Sequence, residues 1–359
     1  MSEGLASNGP HLPALDGLRG VAAMWVFALH LFDEGSGHAS PGYLGVDVFF
    51  VLSGFVLSHA YGRRLKDTGD YARFLRARLA RIYPLHLLTL LVVGALVLLW
   101  PGFAASYGDV EERFGPAAFV AQLLLVQNWA YFLPTSFNTP AWSLSAEWAG
   151  YLVFPAFLLI AARGRHPFWL ATGCMACLAA LLLLWGVEEG GTGSPGMLRM
   201  AFGILAGCLV HRAYVAGYRL PPVPASLAIL LLLALAHIPD ASLIGLLGFP
   251  ALVLLCARGD GPLARVCGAR PVVWLGVISY SIYLWHWIVI QVAVRLPWPD
   301  AAEPVQPLVI VAVVIGLSAA SYAWVEKPVR ARVMRGGQAA AATPAHGAPV
   351  EAELSRRLP

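Results

Sequence analysis

The chain has 359 residues, of which 58% are hydrophobic and 12% charged, whereas soluble globular domains run at about 45–50% apolar and about 25% charged. With a mean hydropathy of +0.69 and apolar runs recurring from residue 15 to residue 325, the composition excludes a soluble protein and describes a polytopic membrane protein. A net charge of +4 is no argument for nucleic acid, because in a membrane chain the placement of basic residues matters more than their sum. Five cysteines without regular spacing exclude a disulfide-stapled secreted domain.

Residues 1–14 contain no Lys or Arg, so the charged start of a cleavable signal peptide is missing. The first helix is therefore expected to stay in the mature protein, with residues 1–13 as a cytoplasmic tail. Apolar stretches able to cross a bilayer, about 17–25 residues each, lie near 14–32, 44–61, 83–100, 142–162, 168–186, 197–215, 222–238, 242–257, 271–293 and 305–325. The expectation is an all-α integral membrane helix bundle of about ten transmembrane helices.

Charge sets the sidedness. Arg63, Arg64, Lys66, Arg73, Arg76, Arg78 and Arg81 crowd the loop after the second stretch, and cytoplasmic loops collect Lys and Arg. Counting back from Lys327, Arg330, Arg332 and Arg335 puts Arg258, Arg265 and Arg270, then Arg212 and Arg219, then Arg163 and Arg165 on the same inner side. The opposite connections carry Asp33, Glu34, Asp109, Glu111, Glu112, Glu188, Glu189, Asp240, Asp300 and Glu303 against only Arg113 and Arg295. Both termini are then cytoplasmic and the number of spans even. That leaves residues 116–133, interrupted by Gln122, Gln127 and Asn128, as a re-entrant or interfacial segment that roofs a site on the outer side. Cys174 and Cys177 form a lone C-x-x-C in an apolar run and read as small core residues, with no metal site. The membrane domain is expected over 14–330 and a disordered cytoplasmic tail over 331–359, rich in Ala, Gly and Pro from 336 onward.

Ionisable residues inside spans cost at least about 2.5–3.5 kcal/mol on insertion scales and are functional candidates by default. Arg19 and His30 share the first span; at 100° per residue they lie only about 20° apart around the helix and about 16 Å apart along it. Either they line one functional face, or Arg19 snorkels inward and His30 caps the outer end. Asp47 enters the second span at a depth like that of His30 and is expected to orient it, as carboxylates do for basic imidazoles; the bland alternative is an interfacial carboxylate. Glu147 enters from the outer side and His286 lies deep in its span, where a histidine satisfied by a neighbouring helix is an equal reading. The arginines leading into Ile82-Tyr83-Pro84 either set topology against anionic lipid or cradle phosphates. There is no Walker A sequence, no G-x-G-x-x-G after a strand and no G-x-S-x-G elbow on a sheet, so nucleotide hydrolysis and soluble-type serine hydrolysis are poorly supported.

Six strings in order resemble the membrane-bound acyltransferase 3 family. They are Leu15-Asp16-Gly17-Leu18-Arg19-Gly20 with His30, the run from Gly45 to Phe55, Arg78-Leu79-Ala80-Arg81-Ile82-Tyr83-Pro84, Trp142-Ser143-Leu144-Ser145-Ala146-Glu147, the run from Ser279 to His286, and Glu326-Lys327-Pro328. The resemblance covers roughly residues 12–330. It implies a ten-helix enzyme of the bacterial plasma membrane that moves an acyl group, commonly acetyl, from cytoplasmic acyl-CoA to a hydroxyl of a glycan, lipid-linked sugar or glycosylated metabolite, with no permanently bound cofactor. By position, Arg19 and His30 match the family's essential Arg and His, and Asp47, Arg78, Arg81, Trp142 and Glu147 match further motif positions. Some family members carry a fused extracytoplasmic esterase-like domain; here a separate extracytoplasmic partner is the open possibility.

Joined to the topology, this predicts that Arg78 and Arg81, with Arg19 deeper, take the phosphates of acyl-CoA. His30, oriented by Asp47, then serves as general base, with acylation of His30 itself as the competing version. Trp142, Ser143 or Tyr283 would donate to the developing oxyanion, Tyr83 and His286 would line the substrate, and Glu147 would position the sugar, replace Asp47 as the partner of His30, or tie the fourth span to the re-entrant segment. A proton-coupled exporter would use the same residues as a relay, and a non-catalytic scaffold would tolerate alanine at His30.

Overall fold

Proline and glycine divide this chain more than propensity does. In the computed structural model, which describes residues 11–32, 41–62, 64–107, 109–129, 135–163, 173–174, 177–178, 194–238 and 242–333, every regular element among the described residues is helical. α1 (Pro13–Phe32) opens with Pro at its first position and Asp16 in its first turn, both favourable at a helix start. α2 (Gly45–Tyr61) and α3 (Thr68–Leu99) follow. Asp67 caps α3, its side chain accepting from the Asp70 amide at 2.7 Å. At 32 residues α3 is about 48 Å long, more than the roughly 30 Å apolar layer, so its first turns project beyond it.

Three short helices come next, α4 (Pro101–Ala105), α5 (Val110–Phe114) and α6 (Pro116–Leu123). Then come α7 (Trp142–Arg163), α8 (Ser194–Val215), α9 (Pro222–Leu235), α10 (Phe249–Arg258), α11 (Gly261–Cys267), α12 (Arg270–Val277), α13 (Ser279–Ala293) and α14 (Gln306–Ser321), the last running into a π-helical turn, Tyr322–Glu326. Among the described residues five helices are long and apolar enough to cross a membrane, or seven if each of two bent pairs is one span. The protein is thus a polytopic helical membrane protein. Helical structure occurs at the described residues of each expected span; of 168–186 only residues 173–174 and 177–178 are described, and the two tails and the acidic residues Asp33, Glu34, Glu188, Glu189 and Asp240 lie largely outside the described residues.

The bent pairs are a finding that hydropathy did not foresee. The expected span 242–257 runs as a 3-10 turn into α10 and is followed by α11 at 72°, and the expected span 271–293 breaks between α12 and α13 at 69°. Gly259, with φ +70, ends α10 in the left-handed conformation that glycine adopts without penalty.

Two crossings hold the bundle, and both rest on absent side chains. A Cβ on Gly17 would lie 1.8 Å from the Cys267 carbonyl oxygen and one on Gly276 1.8 Å from that of Asp16, so α1 meets α11 and α12 backbone to backbone. A Cβ on Gly54 would lie 2.2 Å from the Ile204 oxygen, and one on Gly207 2.2 Å from that of Val51, which locks α2 against α8 in the same way. Small residues serve membrane bundles thus because burial against lipid-like neighbours supplies little driving force and close packing must replace it.

The loops make contacts at both ends of the bundle. Two of the basic loops meet, Arg219 pairing with Asp260 at 2.9 Å and Arg258 donating to the Tyr218 carbonyl at 3.0 Å. On the other side Tyr107 donates to Gln291 at 2.8 Å and Arg113 to the Thr135 carbonyl at 3.4 Å. α6 has eight residues, about 12 Å of helix, and cannot cross. The amides that interrupt this segment turn inward: Gln122 donates to the Ser136 carbonyl at 2.7 Å, Gln127 to the Ala141 carbonyl at 2.9 Å, and the Asn128 amide to Ser145 at 3.1 Å. Such non-crossing backbone is tolerated because protein satisfies it. Cys174 is buried and Cys177 half-buried, both are free thiols, and no metal-binding cluster occurs among the described residues.

Candidate active site

α1, α2, α3, α7 and α13 surround a partly open cleft whose empty space, solvent-open part included, is about 640 Å³. Its wall on α2 runs from Val46 to Leu57, about 16 Å along the helix. Arg19, Arg78 and Arg81 line it, as do Ser53, Ser143, Glu147, Tyr151, Tyr280 and Tyr283. Of the residues singled out in the sequence, Arg19, Arg78, Arg81, Ser143, Glu147 and Tyr283 therefore share one space.

The arginine run on α3 divides by helical phase. Arg73 is exposed and pairs with Asp70 at 2.5 Å. Arg78 is only 3% exposed, with its guanidinium 5.4 Å from the Tyr61 ring and 6.0 Å from the Tyr151 ring. It donates to the Tyr61 hydroxyl at 3.3 Å. Arg78 has no ion-pair partner among the described residues, and the buried Nε atoms of Arg78 and Arg19 have no hydrogen-bond partner. A buried cation left this way is costly and leaves donors available to an anionic ligand. Tyr83, expected with them, does not line the cavity; its ring lies 6.3 Å from His86. It follows Arg81 by two residues, about 200° around the helix, and so points elsewhere.

Glu147 sits midway along the cavity. One carboxylate oxygen accepts from Ser53 at 2.7 Å and from Tyr151 at 2.5 Å. Tyr151 was not foreseen, although its place four residues after Glu147 is one turn on the same face. At the far end the Tyr283 hydroxyl lies 2.8 Å from Ser143 Oγ and 2.9 Å from the Pro140 carbonyl. The two hydroxyls and that carbonyl form a closed triangle, so neither proton is free for an oxyanion until the triangle opens.

Beyond Tyr283 stand the two histidines. The His286 ring is 5.8 Å from Tyr283 and 5.0 Å from His30. Its Nδ1 is 3.1 Å from the Ile282 carbonyl and must donate to it, which leaves Nε2 as an acceptor. His30 Nδ1 likewise donates to the Val26 carbonyl at 2.9 Å and faces His286 Nε2 at 3.3 Å. These bonds put the proton of neutral His30 on Nδ1 and leave its Nε2 lone pair available, the form a general base requires.

Asp47 is the correction. The sequence reading gave it to His30, but both of its oxygens are taken by Arg199, with Nε to Oδ1 at 3.0 Å and Nη2 to Oδ2 at 2.6 Å. The pair is sealed, Asp47 at 0% and Arg199 at 1% exposed, and Arg199 lies 5.1 Å from the Tyr43 ring and 5.3 Å from that of Trp142. In low dielectric a two-pronged guanidinium match outweighs a hydrogen bond to a neutral imidazole. Trp142 thus covers this pair and does not line the cavity. Arg199 was missed, and its signal was present: a charge inside the apolar run of α8, opposite in sign to Asp47 and near the same end of its helix. Glu326, from the last motif, is also buried and accepts from Ser281 at 2.5 Å and from Arg330 at 2.6 Å, tying the π-helical turn to the start of α13.

Known proteins resemble this chain over most of its length. The acyltransferase 3 family, described as an acyltransferase domain, matches residues 12–323. The acyltransferase MdmB of Streptomyces mycarofaciens is 31% identical over 88% of this chain and 91% of its own length. The putative peptidoglycan O-acetyltransferase YrhL of Bacillus subtilis and the peptidoglycan O-acetyltransferase OatA of Listeria monocytogenes are each 26% identical, over 90% and 89% of this chain. The chain spans 56% of the length of each of these two. No solved structure matches.

Proposed function

The chain belongs to the acyltransferase 3 family, and from that premise we propose that it transfers an acetyl group from cytoplasmic acetyl-CoA to a hydroxyl of a sugar-containing acceptor at the outer side of the plasma membrane. The family makes it a multi-pass membrane acyltransferase with an acyl donor and an acceptor. The single observation that carries the finer reading is the cavity lined by two arginines whose buried Nε atoms lack a partner, with the His286–His30 pair just past Tyr283 on its wall. The basic loops on one face and acidic connections on the other support cytoplasmic termini, and a relative named a peptidoglycan O-acetyltransferase supports acetyl transfer to a sugar hydroxyl.

In this reading Arg78, Arg81 and Arg19 hold the phosphates of the donor. Its pantetheine arm lies along α2 past Glu147, whose second oxygen is available to an amide N–H of that arm. His30 Nε2 takes the proton of the acceptor hydroxyl as its oxygen attacks the thioester carbonyl. The C–S bond breaks, and the departing thiolate recovers the proton from His30. His286 acts as the positioning residue: its Nε2 accepts from His30 Nδ1 and steadies the imidazolium formed in between. Asp47 and Arg199 brace α2 against α8 without touching substrate.

The test is thiol release from acetyl-CoA by the purified chain in proteoliposomes, compared with His30→Ala. We expect slow acceptor-independent release that the substitution abolishes, a loss of at least about 100-fold as for removal of a general base. Folded protein that neither binds acetyl-CoA nor releases thiol would overturn the reading in favour of a proton-coupled exporter, to be followed by substrate flux.

A further inference from the structure

The donor cavity stops one aromatic ring short of the histidines. Phe49, Ser143 and Tyr283 belong to its wall, whereas His286 and His30 do not. Tyr283 is only 4% exposed and meets both sides, its ring 5.9 Å from Phe49 in an edge-on contact and 5.8 Å from His286. Nor can that ring swing freely, since its hydroxyl is held by Ser143 at 2.8 Å and by the Pro140 carbonyl at 2.9 Å. Pro140 lies in the 3-10 turn Thr139–Ala141 that starts α7, so this latch ties α13 to α7 where the cavity ends.

We propose that Tyr283, backed by Phe49 and latched by Ser143 and Pro140, is the partition that limits the donor to short acyl groups. The proposal rests on the acyltransferase reading above and names what selects its acyl chain. A thioester carbonyl that comes up from the arginines must pass the edge of the Tyr283 ring to meet His30 Nε2. The acyl tail then has to enter where the Tyr283 ring touches both Phe49 and His286. An acetyl methyl asks the smallest displacement of that ring. Each further methylene has to displace a ring whose hydroxyl is tied to the backbone, and discrimination by a closed apolar pocket runs at about tenfold or more per methylene.

The experiment measures thiol release from acetyl-, butyryl-, hexanoyl- and octanoyl-CoA by the full chain in proteoliposomes, for the unaltered protein, Tyr283→Ala, Tyr283→Phe and Phe49→Ala. We expect the unaltered protein to fall steeply with chain length. Tyr283→Ala should raise the hexanoyl-to-acetyl ratio of kcat/KM at least about tenfold, and Tyr283→Phe, which keeps the ring and loses the latch, should raise it less. Phe49→Ala opens the same gap from α2 and stands in if Tyr283→Ala does not fold. An unaltered protein indifferent to chain length overturns the proposal. So does a Tyr283→Ala protein slowed equally with every donor, the result expected of a purely chemical or structural tyrosine; in both cases the acyltransferase reading survives, because thiol release still depends on His30. Absence of binding and thiol release with every donor overturns both.

Discussion

Arg199 and Arg78 are both buried within the bundle, at 1% and 3% exposed, and they are held in opposite ways. Arg199 meets Asp47 through two hydrogen bonds and has aromatic rings of Tyr43 and Trp142 against it. Arg78 stands on a cavity wall with Tyr61 and Tyr151 beside it, and no carboxylate among the described residues pairs with it. The first arrangement is complete without a ligand and serves cohesion. The second carries desolvation cost that an anion would offset, and on the proposed function it is the one that serves binding. Burial of a charge inside a membrane protein is therefore not by itself a mark of function; the state of its partners decides.

The largest effect expected from this contrast follows removal of one member of the closed pair. Arg199→Ala strands Asp47 in the core, and the loss should be about 3–5 kcal/mol, read as a lower denaturation midpoint in detergent. Replacing both members with apolar residues, Asp47→Leu together with Arg199→Met, should recover most of that loss. If the double variant also keeps His30-dependent thiol release, Asp47 has no part in the chemistry; if stability returns without turnover, the distinction between the two arginines breaks at Asp47.

Arg78→Met should give the reverse pattern. The KM for acetyl-CoA is expected to rise about 10–100-fold, the equivalent of losing one or two hydrogen bonds from a charged donor, while the denaturation midpoint holds or rises. A fall in stability matching that of Arg199→Ala would erase the contrast. The smallest effect belongs to Arg73→Ala on the outward side of the same helix, where the exposed pair with Asp70 is worth less than about 1 kcal/mol and the KM should not move. A rise in KM there would extend the donor site to the surface and sharpen its boundary.

How much of this could be read in advance differs by residue. Arg19, Arg78, Arg81, Glu147, Ser143 and Tyr283 were singled out by charge in apolar surroundings or by motif, and they line one cavity. His30 and His286 were singled out separately, and nothing in one dimension could show that their rings lie 5.0 Å apart. The pairing of Asp47 was misread because depth along a helix was legible and direction around it was not. Tyr83 departs from its expected place for a related reason, since its motif neighbours Arg78 and Arg81 line the cavity whereas it packs against the core beside His86. Gln122, Gln127 and Asn128 were read correctly as marks of a segment that does not cross, because polar amides facing lipid are too costly for a spanning helix.

The sequence by itself determined the class of the molecule, the apolar stretches that form its described helices and a short list of chemical groups. Those properties follow from composition along the chain, where transfer of apolar and charged groups into lipid is nearly additive. Tertiary structure alone decided which carboxylate meets which cation, which buried guanidinium nitrogens lack a partner, that one expected span breaks and another is followed by a sharply bent helix, and that one tyrosine ring stands between the cavity and the histidine pair. These depend on the rotation and approach of helices brought together by glycines at positions 17, 54, 207 and 276. Contacts of that kind are set by three-dimensional packing, which hydropathy along the chain does not encode.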